Sequence, residues 1–320
     1  MKRILITGVS GFVGSALANI AHERKNIVRG IVRSNSESIP EFVEQVAVRN
    51  IMPCTSWQRE LDNIDIVVHL AARVHIMRDK ASNPLMEFRR TNTEATLNLA
   101  RQAANLGVKR FIYLSSIKVN GEVTRSEFPF TENEKYIPVD SYALSKYEAE
   151  QGLLELSQKT KMEVVIIRPP LIYGPGAKAN FLSMMKWLYA GVPLPFGTIY
   201  NKRSLIGLDN LIDFILTCID HPAAANQVFL VSDGDDLSTT ELLNRVARAL
   251  GKKSRLLPVN HQLIELCLIL IGKKDLARRL CGSLQVDISK AKELLNWSPL
   301  ISVDEGLRLT AEHFLESQSL

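Results

Sequence analysis

A strand-length apolar run, Arg3-Ile4-Leu5-Ile6-Thr7, leads directly into Gly8-Val9-Ser10-Gly11-Phe12-Val13-Gly14 and then into a helical pattern. Glycines three apart at a strand-to-helix junction let the backbone turn sharply and let helix and strand approach. They also leave the first N–H groups of the helix free for an anion. The spacing is GxxGxxG and not the commoner GxGxxG, so position in the chain carries as much weight as the letters. A tight turn is the plain alternative. Placement at the first junction of an alternating chain favours a dinucleotide site built from Gly8, Ser10, Gly11, Phe12, Val13 and Gly14.

The alternation continues. Short Ile- and Val-rich runs at 26–32, 43–48, 66–70, 110–114 and 164–167 read as buried strands, with helical patterns at 11–24, 84–106 and 141–159. This predicts an α/β fold with a doubly wound parallel sheet. After Arg168-Pro169-Pro170 the pattern changes to a Gly- and Pro-rich stretch with one helix near 181–189, followed by helices at 239–250, 262–271, 289–295 and 303–315. The expected organisation is a Rossmann-type dinucleotide-binding domain over residues 1–170, with 203–220 returning to it. A smaller, mainly helical substrate lobe takes 171–202 and 221–320.

Composition narrows the function classes. The net charge of +5 is modest, and the cluster from Lys273-Lys274 to Arg278-Arg279 is short enough to be a solvated helix face, so nucleic acid is not an expected partner. Cys54, Cys218, Cys267 and Cys281 are scattered without a CxxC pair, which argues against structural zinc or a disulfide framework and fits a reducing compartment. The apolar stretch 263–271 is shorter than the roughly 20 residues of a membrane span and contains Glu265, so it reads as a buried or interfacial helix. A soluble, cytoplasmic protein without metal or membrane insertion is expected.

Strand two ends in Val32-Arg33-Ser34. An acidic residue there would hold the ribose 2′-OH of NAD, whereas Arg33 suits the 2′-phosphate of NADP. The cofactor reading is NADP(H) or NAD(H), with the balance toward NADP. Tyr142-Ala143-Leu144-Ser145-Lys146 sets a phenol and an ammonium four apart on one helix face. A neighbouring ammonium favours phenolate, and so is expected to bring a tyrosine toward working acid–base range. Ser115 and Ser116 follow the fifth strand, whose carboxyl end borders the ligand crevice of such a sheet. Either hydroxyl could be turn chemistry alone.

Together these motifs resemble the extended short-chain dehydrogenase/reductase superfamily, in its nucleotide-sugar epimerase/dehydratase branch. The resemblance runs through the glycine loop, His69-Leu70-Ala71-Ala72, Thr91-Asn92-Thr93-Glu94-Ala95-Thr96, Ser115-Ser116, the Tyr142/Lys146 pair, Arg168 through Tyr173-Gly174-Pro175, and residues 292–299. It implies Ser116, Tyr142 and Lys146 as the catalytic set. It implies Arg33, Asn50, Leu70, Ala71, Ala72, Asn92, Ser115, Tyr142, Lys146 and Pro169 beside the dinucleotide, with the glycine-loop residues. For the substrate it implies Ser116, Lys118, Tyr142, Asn180 and Arg203, the last two at the diphosphate, since a guanidinium fork matches phosphate oxygens. It also implies a homodimer through the helices at 84–106 and 141–159.

Departures from the family pattern narrow the chemistry. The 4,6-dehydratases carry an Asp-Glu pair after the catalytic hydroxyl residue, where this chain has Ile117 and Lys118, neither able to serve as the acid. The asparagine common before Tyr-Gly-Pro in epimerases is Leu171. The stretches Ser115 to Gly121, Lys178-Ala179-Asn180-Phe181 and Gly282 to Asp287 resemble a bacterial surface-polysaccharide group that reduces UDP-4-keto-6-deoxy-N-acetylhexosamines. The expected activity is therefore C4 reduction of such a UDP-sugar, with a UDP-glucose or UDP-N-acetylglucosamine 4-epimerase as the alternative. A dinucleotide-sensing binding protein is the rival from another class, opposed by retention of both Tyr142 and Lys146.

Overall fold

The computed structural model describes residues 1–34, 39–74, 83–125, 128–134 and 136–318. The first half runs β1 (Arg3–Thr7), α1 (Phe12–Glu23), β2 (Ile27–Val32), β3 (Glu44–Ala47), β4 (Ile66–His69), α2 (Pro84–Phe88), a π-helical turn (Arg89–Glu94), α3 (Ala95–Asn105), β5 (Arg110–Leu114), α4 (Ser141–Lys159) and β6 (Glu163–Arg168). The second half runs β7 (Leu171–Tyr173), α5 (Ala179–Tyr189), β8 (Leu205–Gly207), α6 (Leu208–Asp220), β9 (Gln227–Leu230), α7 (Thr239–Ala249), α8 (His261–Leu270), α9 (Lys274–Cys281), α10 (Ser289–Leu295) and α11 (Val303–Gln318).

Seven strands form one parallel sheet in the order β3-β2-β1-β4-β5-β6-β9. Because side chains alternate across a strand, Ile4, Ile6, Val68, Ile112, Val165 and Ile167 face one way, onto Leu17 and Ala21 of α1 and Leu211 and Phe214 of α6. Leu5, Val67, Phe111, Tyr113, Val164 and Ile166 face the other, onto Leu99 and Ala103 of α3 and Leu153 of α4. Burying each large apolar side chain stabilises the fold by about 1.5–3 kcal/mol. A third cluster, including Phe181, Met185, Leu243, Leu307 and Phe314, is the core of the lobe. The chain order reverses between β1 and β4, which opens the crevice at their carboxyl ends.

Three features differ from the sequence expectation, and one follows it. The helix expected over 84–106 is three segments, with the wide π turn around Asn92. The strand β9 completes the main sheet beside β6, so the lobe boundary expected at 221 falls before a sheet strand. Helix α6, in the stretch expected to return, packs against α1 and β5. The short strands β7 and β8 pair with each other in parallel, Leu171 opposite Leu205 and Tyr173 opposite Gly207.

The seam between sheet and lobe is hydrogen-bonded around one carboxylate. Asp233, just after β9, accepts from the Tyr173 hydroxyl at 2.8 Å, the Gly207 N–H at 2.9 Å and the Asn210 amide at 2.7 Å. Burial raises its pKa, and the three donors oppose that rise.

Candidate active site

The glycine loop is held where only glycines fit. Gly8 has φ +72°, and a Cβ there would lie 3.0 Å from the Ala71 nitrogen. At Gly14 a Cβ would sit 2.2 Å from the Gly8 carbonyl oxygen. The Thr7 hydroxyl accepts from the Leu70 and Ala71 N–H groups, both at 3.2 Å, and donates to His69 Nδ1 at 2.7 Å. His69 Nε2 then donates to the Thr96 hydroxyl at 2.9 Å. Burial, reinforced by the charge of Lys146, lowers the His69 pKa to about 3, so the ring is neutral and structural. Helix α1 starts at Gly11 with no side-chain cap and no acid in its first turn. Its N–H groups and the bare cradle before them fit a dinucleotide pyrophosphate.

Around that cradle the other expected cofactor residues occupy the same edge of the sheet. Leu70, Ala71 and Ala72 follow β4 and are half-buried, Arg33 is exposed after β2, and Asn50 is exposed beyond β3. Asn92 points inward from the π turn: its carbonyl accepts from Arg73 N at 2.8 Å, while its amide donates to Arg73 O and Ser145 Oγ, both at 3.0 Å. It thus fastens the segment after β4 to α4. Pro169 follows β6, and its carbonyl accepts from Ile117 N at 2.9 Å.

The three residues expected to be catalytic come together at the start of α4, which Asp140 caps by accepting from Ala143 N at 2.9 Å. Ser116 caps the short turn Ile117–Val119 through Lys118 N at 3.3 Å, with its hydroxyl on the Tyr142 side, where it favours the ionised phenol. Burial first, then the nearby Asp140 charge, push the Tyr142 pKa up to about 12, with Ser116 opposing. Lys146 donates to the Leu114 carbonyl at 2.8 Å and lies 4.4 Å from the centre of the Tyr113 ring. Burial brings its own pKa down to about 7, against the pull of Glu150. The expected lowering of the phenol by its lysine is therefore reversed here. The lysine donates its hydrogen bond to a backbone carbonyl, and desolvation governs both groups.

Spacing alone missed the cluster behind this trio. Glu150, fully buried one turn beyond Lys146, holds Arg168 at 2.6 Å and accepts from the Ser115 hydroxyl. Arg168 also donates to Asn120 Oδ1 at 3.0 Å, and the Asn120 amide to Thr131 O at 2.6 Å. The Ser115 side chain is thus committed to the interior, leaving Ser116 as the hydroxyl beside Tyr142. The one signal for Glu150 was its i+4 spacing from Lys146.

Of the expected substrate residues, Lys118 lies 3.8 Å from Asp140 and 5.9 Å from the centre of the Tyr142 ring. Asn180 is exposed in the first turn of α5. Arg203 is half-buried and donates to the Gly282 carbonyl at 2.9 Å. Burial, then the charge of Arg279, lowers its pKa, and among the described residues no carboxylate pairs with it. A half-buried arginine that feels a second arginine's charge and has no carboxylate partner suits an anionic ligand.

Comparison with known proteins agrees with this geometry. The model of the "NAD dependent epimerase/dehydratase family" matches residues 4–232. Over 320 residues the chain is 48% identical to a UDP-glucose 4-epimerase of Vibrio cholerae, covering 99% of this chain and 97% of the relative. It is 30% identical over 252 residues to an N-acetyl-alpha-D-glucosaminyl-diphospho-ditrans,octacis-undecaprenol 4-epimerase of Escherichia coli O157:H7, covering 78% and 73%. Among solved structures, UDP-glucuronic acid 4-epimerase from Bacillus cereus in complex with NAD superposes with a TM-score of 0.78 at 20% identity, covering 98% and 99%.

Proposed function

The chain belongs to the NAD dependent epimerase/dehydratase family, within the short-chain dehydrogenase/reductase enzymes, and from that premise we propose that it inverts C4 of a UDP-sugar. The observation that carries the reading is the joining of the bare glycine cradle to Ser116, Tyr142 and Lys146 at one edge of the sheet. The relatives favour the 4-epimerase over the C4 reductase expected from the sequence departures. The Gly8–Gly14 loop and the α1 N-terminus would hold the dinucleotide, which when bound would supply the oxidation and re-reduction of the sugar carbon. We take it to be NAD, in keeping with the family, with Arg33 as the residue that would admit a 2′-phosphate.

Tyr142 holds and passes the proton of the C4 oxygen. The phenol must take the C4 hydroxyl proton as that carbon is oxidised and return it to the C4 carbonyl oxygen as it is re-reduced; a pKa pushed up to about 12 suits the second half, and the first requires it to fall. Ser116 orients that oxygen by its hydroxyl. Lys146, titrating near 7, carries only part of its charge at neutral pH and is drawn to the full cation by an ionising phenol, which it then favours. Arg203 and Asn180 hold the diphosphate, Lys118 the sugar side of the crevice. Ile117 and Lys118 stand where a dehydratase needs two acids, so dehydration is not part of the cycle.

Incubation with UDP-glucose or UDP-N-acetylglucosamine should yield the C4 epimer without net change in nicotinamide absorbance, and denaturation should release bound NAD. One observation favours the second reading: exposed Leu171 stands in place of the epimerase asparagine. Consumption of NADH or NADPH by a UDP-4-keto-6-deoxy sugar, with no epimer formed, would replace the first reading with the reductase. We further assign a homodimer contact to residues 84–106, from α2 through α3, and to α4; a constant monomer mass in light scattering across dilution would remove it.

A further inference from the structure

One element of the lobe has its polarity turned outward. Helices α8 and α9 form a hairpin that reverses at Gly272, φ +74°. Its base is fastened to the lobe, since the Leu280 carbonyl accepts from the Thr239 hydroxyl at 2.7 Å and the Asn201 amide at 3.2 Å. Within α8 only Ile264 is buried. Leu263, Leu266, Leu270 and Ile271, spaced as one helical stripe, are 57%, 53%, 75% and 63% exposed. Leu257, Ile269 and Leu276 widen this apolar surface. A helix of an ordinary domain turns such a stripe inward.

The charge around the stripe says what it meets. Residues 251–280 carry seven lysines and arginines against Glu265 and Asp275. That excess of five equals the net charge of the whole chain, so the rest of the molecule is balanced. Arg278 is paired with Glu122. Lys253, Lys273 and Lys274 are exposed, and among the described residues none has a carboxylate partner. Two copies meeting through this face would set one cationic cluster against another, which opposes self-association. Apolar side chains flanked by uncompensated cations instead match acyl chains beneath anionic headgroups.

We propose that the α8–α9 hairpin docks the protein on an anionic lipid bilayer, with α8 lying in the headgroup plane. Ten residues of helix span about 15 Å, half a hydrocarbon core, so the contact lies on the membrane and does not cross it. Among the described residues no helix is long and apolar enough to cross one. The proposal is independent of the reaction assigned above.

The test is flotation of the full chain with phosphatidylcholine vesicles, with and without about one-third phosphatidylglycerol. The protein should float with the anionic vesicles and bind on the order of tenfold or more weakly to pure phosphatidylcholine. Leu266→Glu/Leu270→Glu should abolish flotation, and Lys273→Glu/Lys274→Glu should weaken it on the order of tenfold or more, both with the wild-type melting temperature. Wild-type protein left at the bottom of the gradient overturns the proposal, as does flotation that survives the leucine pair. Conversion of a dimer to a monomer by Leu266→Glu/Leu270→Glu, without vesicle binding by the wild type, would assign the face to a second copy instead.

Discussion

The start of α4 and the α8–α9 hairpin both defy the usual partition of side chains, in opposite senses. The first takes Lys146 and Glu150 out of water; the second leaves a row of leucines in it. In α4 every misplaced charge is answered from within: Lys146 by the Leu114 carbonyl, Glu150 by Arg168 and Ser115, Arg168 further by Asn120. Nothing else among the described residues covers the hairpin stripe. Unusual burial alone therefore does not separate a site from a scaffold. What separates the two regions is whether the chain completes the interaction itself.

Breaking the α4 arrangement should produce the largest effects. Replacing Tyr142 with Phe should lower the epimerisation rate about 10²- to 10⁴-fold with little change in melting temperature; full turnover in the variant would make the half-buried phenol a packing residue. Glu150→Ala, which leaves Arg168 buried without its counter-charge, should cost about 3–5 kcal/mol in urea unfolding. A loss below about 1 kcal/mol would mean that the interior does not depend on this pairing.

Titration gives a smaller handle on the same contrast. Lys146 binds its proton with a pKa of about 7 in the fold and 10.5 in the unfolded chain, so between these values the unfolded state carries more protons. Stability from this residue should rise as pH climbs from 7 toward 10, by up to about 1.4 kcal/mol per unit, and Lys146→Met should flatten that rise. His69, about 3 folded and 6.5 unfolded, should withdraw stability as pH falls from 6.5 toward 3. Tyr142 works the other way above pH 10, where the unfolded phenol ionises first. The smallest effect is expected at the hairpin: Leu270→Glu should change unfolding free energy by no more than about 0.5 kcal/mol. A large loss there would show that the stripe is core after all.

The features legible in the sequence were those written locally. The glycine loop declared itself because three glycines stand at one junction, and α4 because Tyr142, Lys146 and an apolar face share one helix. Glu150 was not legible as a buried anchor. In sequence it is one more i+4 acid, and only the adjacency of β5 and β6 brings Ser115 and Arg168 to it. Strands β7 and β8, three residues each, are too short for a period to show, and β9 depends on a long-range pairing with β6. The stretch 262–271 was legible as a helix and open between buried and interfacial; the exposure of its leucines decides for the surface. Leu171, Ile117 and Lys118 show which family chemistry has lost its residues, but a missing group does not specify the reaction that remains. Hence the sequence alone leaned to a reductase, and whole-chain likeness to an epimerase.

The knot around Asp233 has a mechanical consequence. It joins β7 through Tyr173, β8 through Gly207 and α6 through Asn210, and the Tyr173 hydroxyl also lies 3.4 Å from the Val303 carbonyl that begins α11. Passages between the two halves are thereby pinned at one fulcrum. The function proposed above puts a diphosphate at Arg203, just before β8, so tension applied there runs along that strand into this carboxylate.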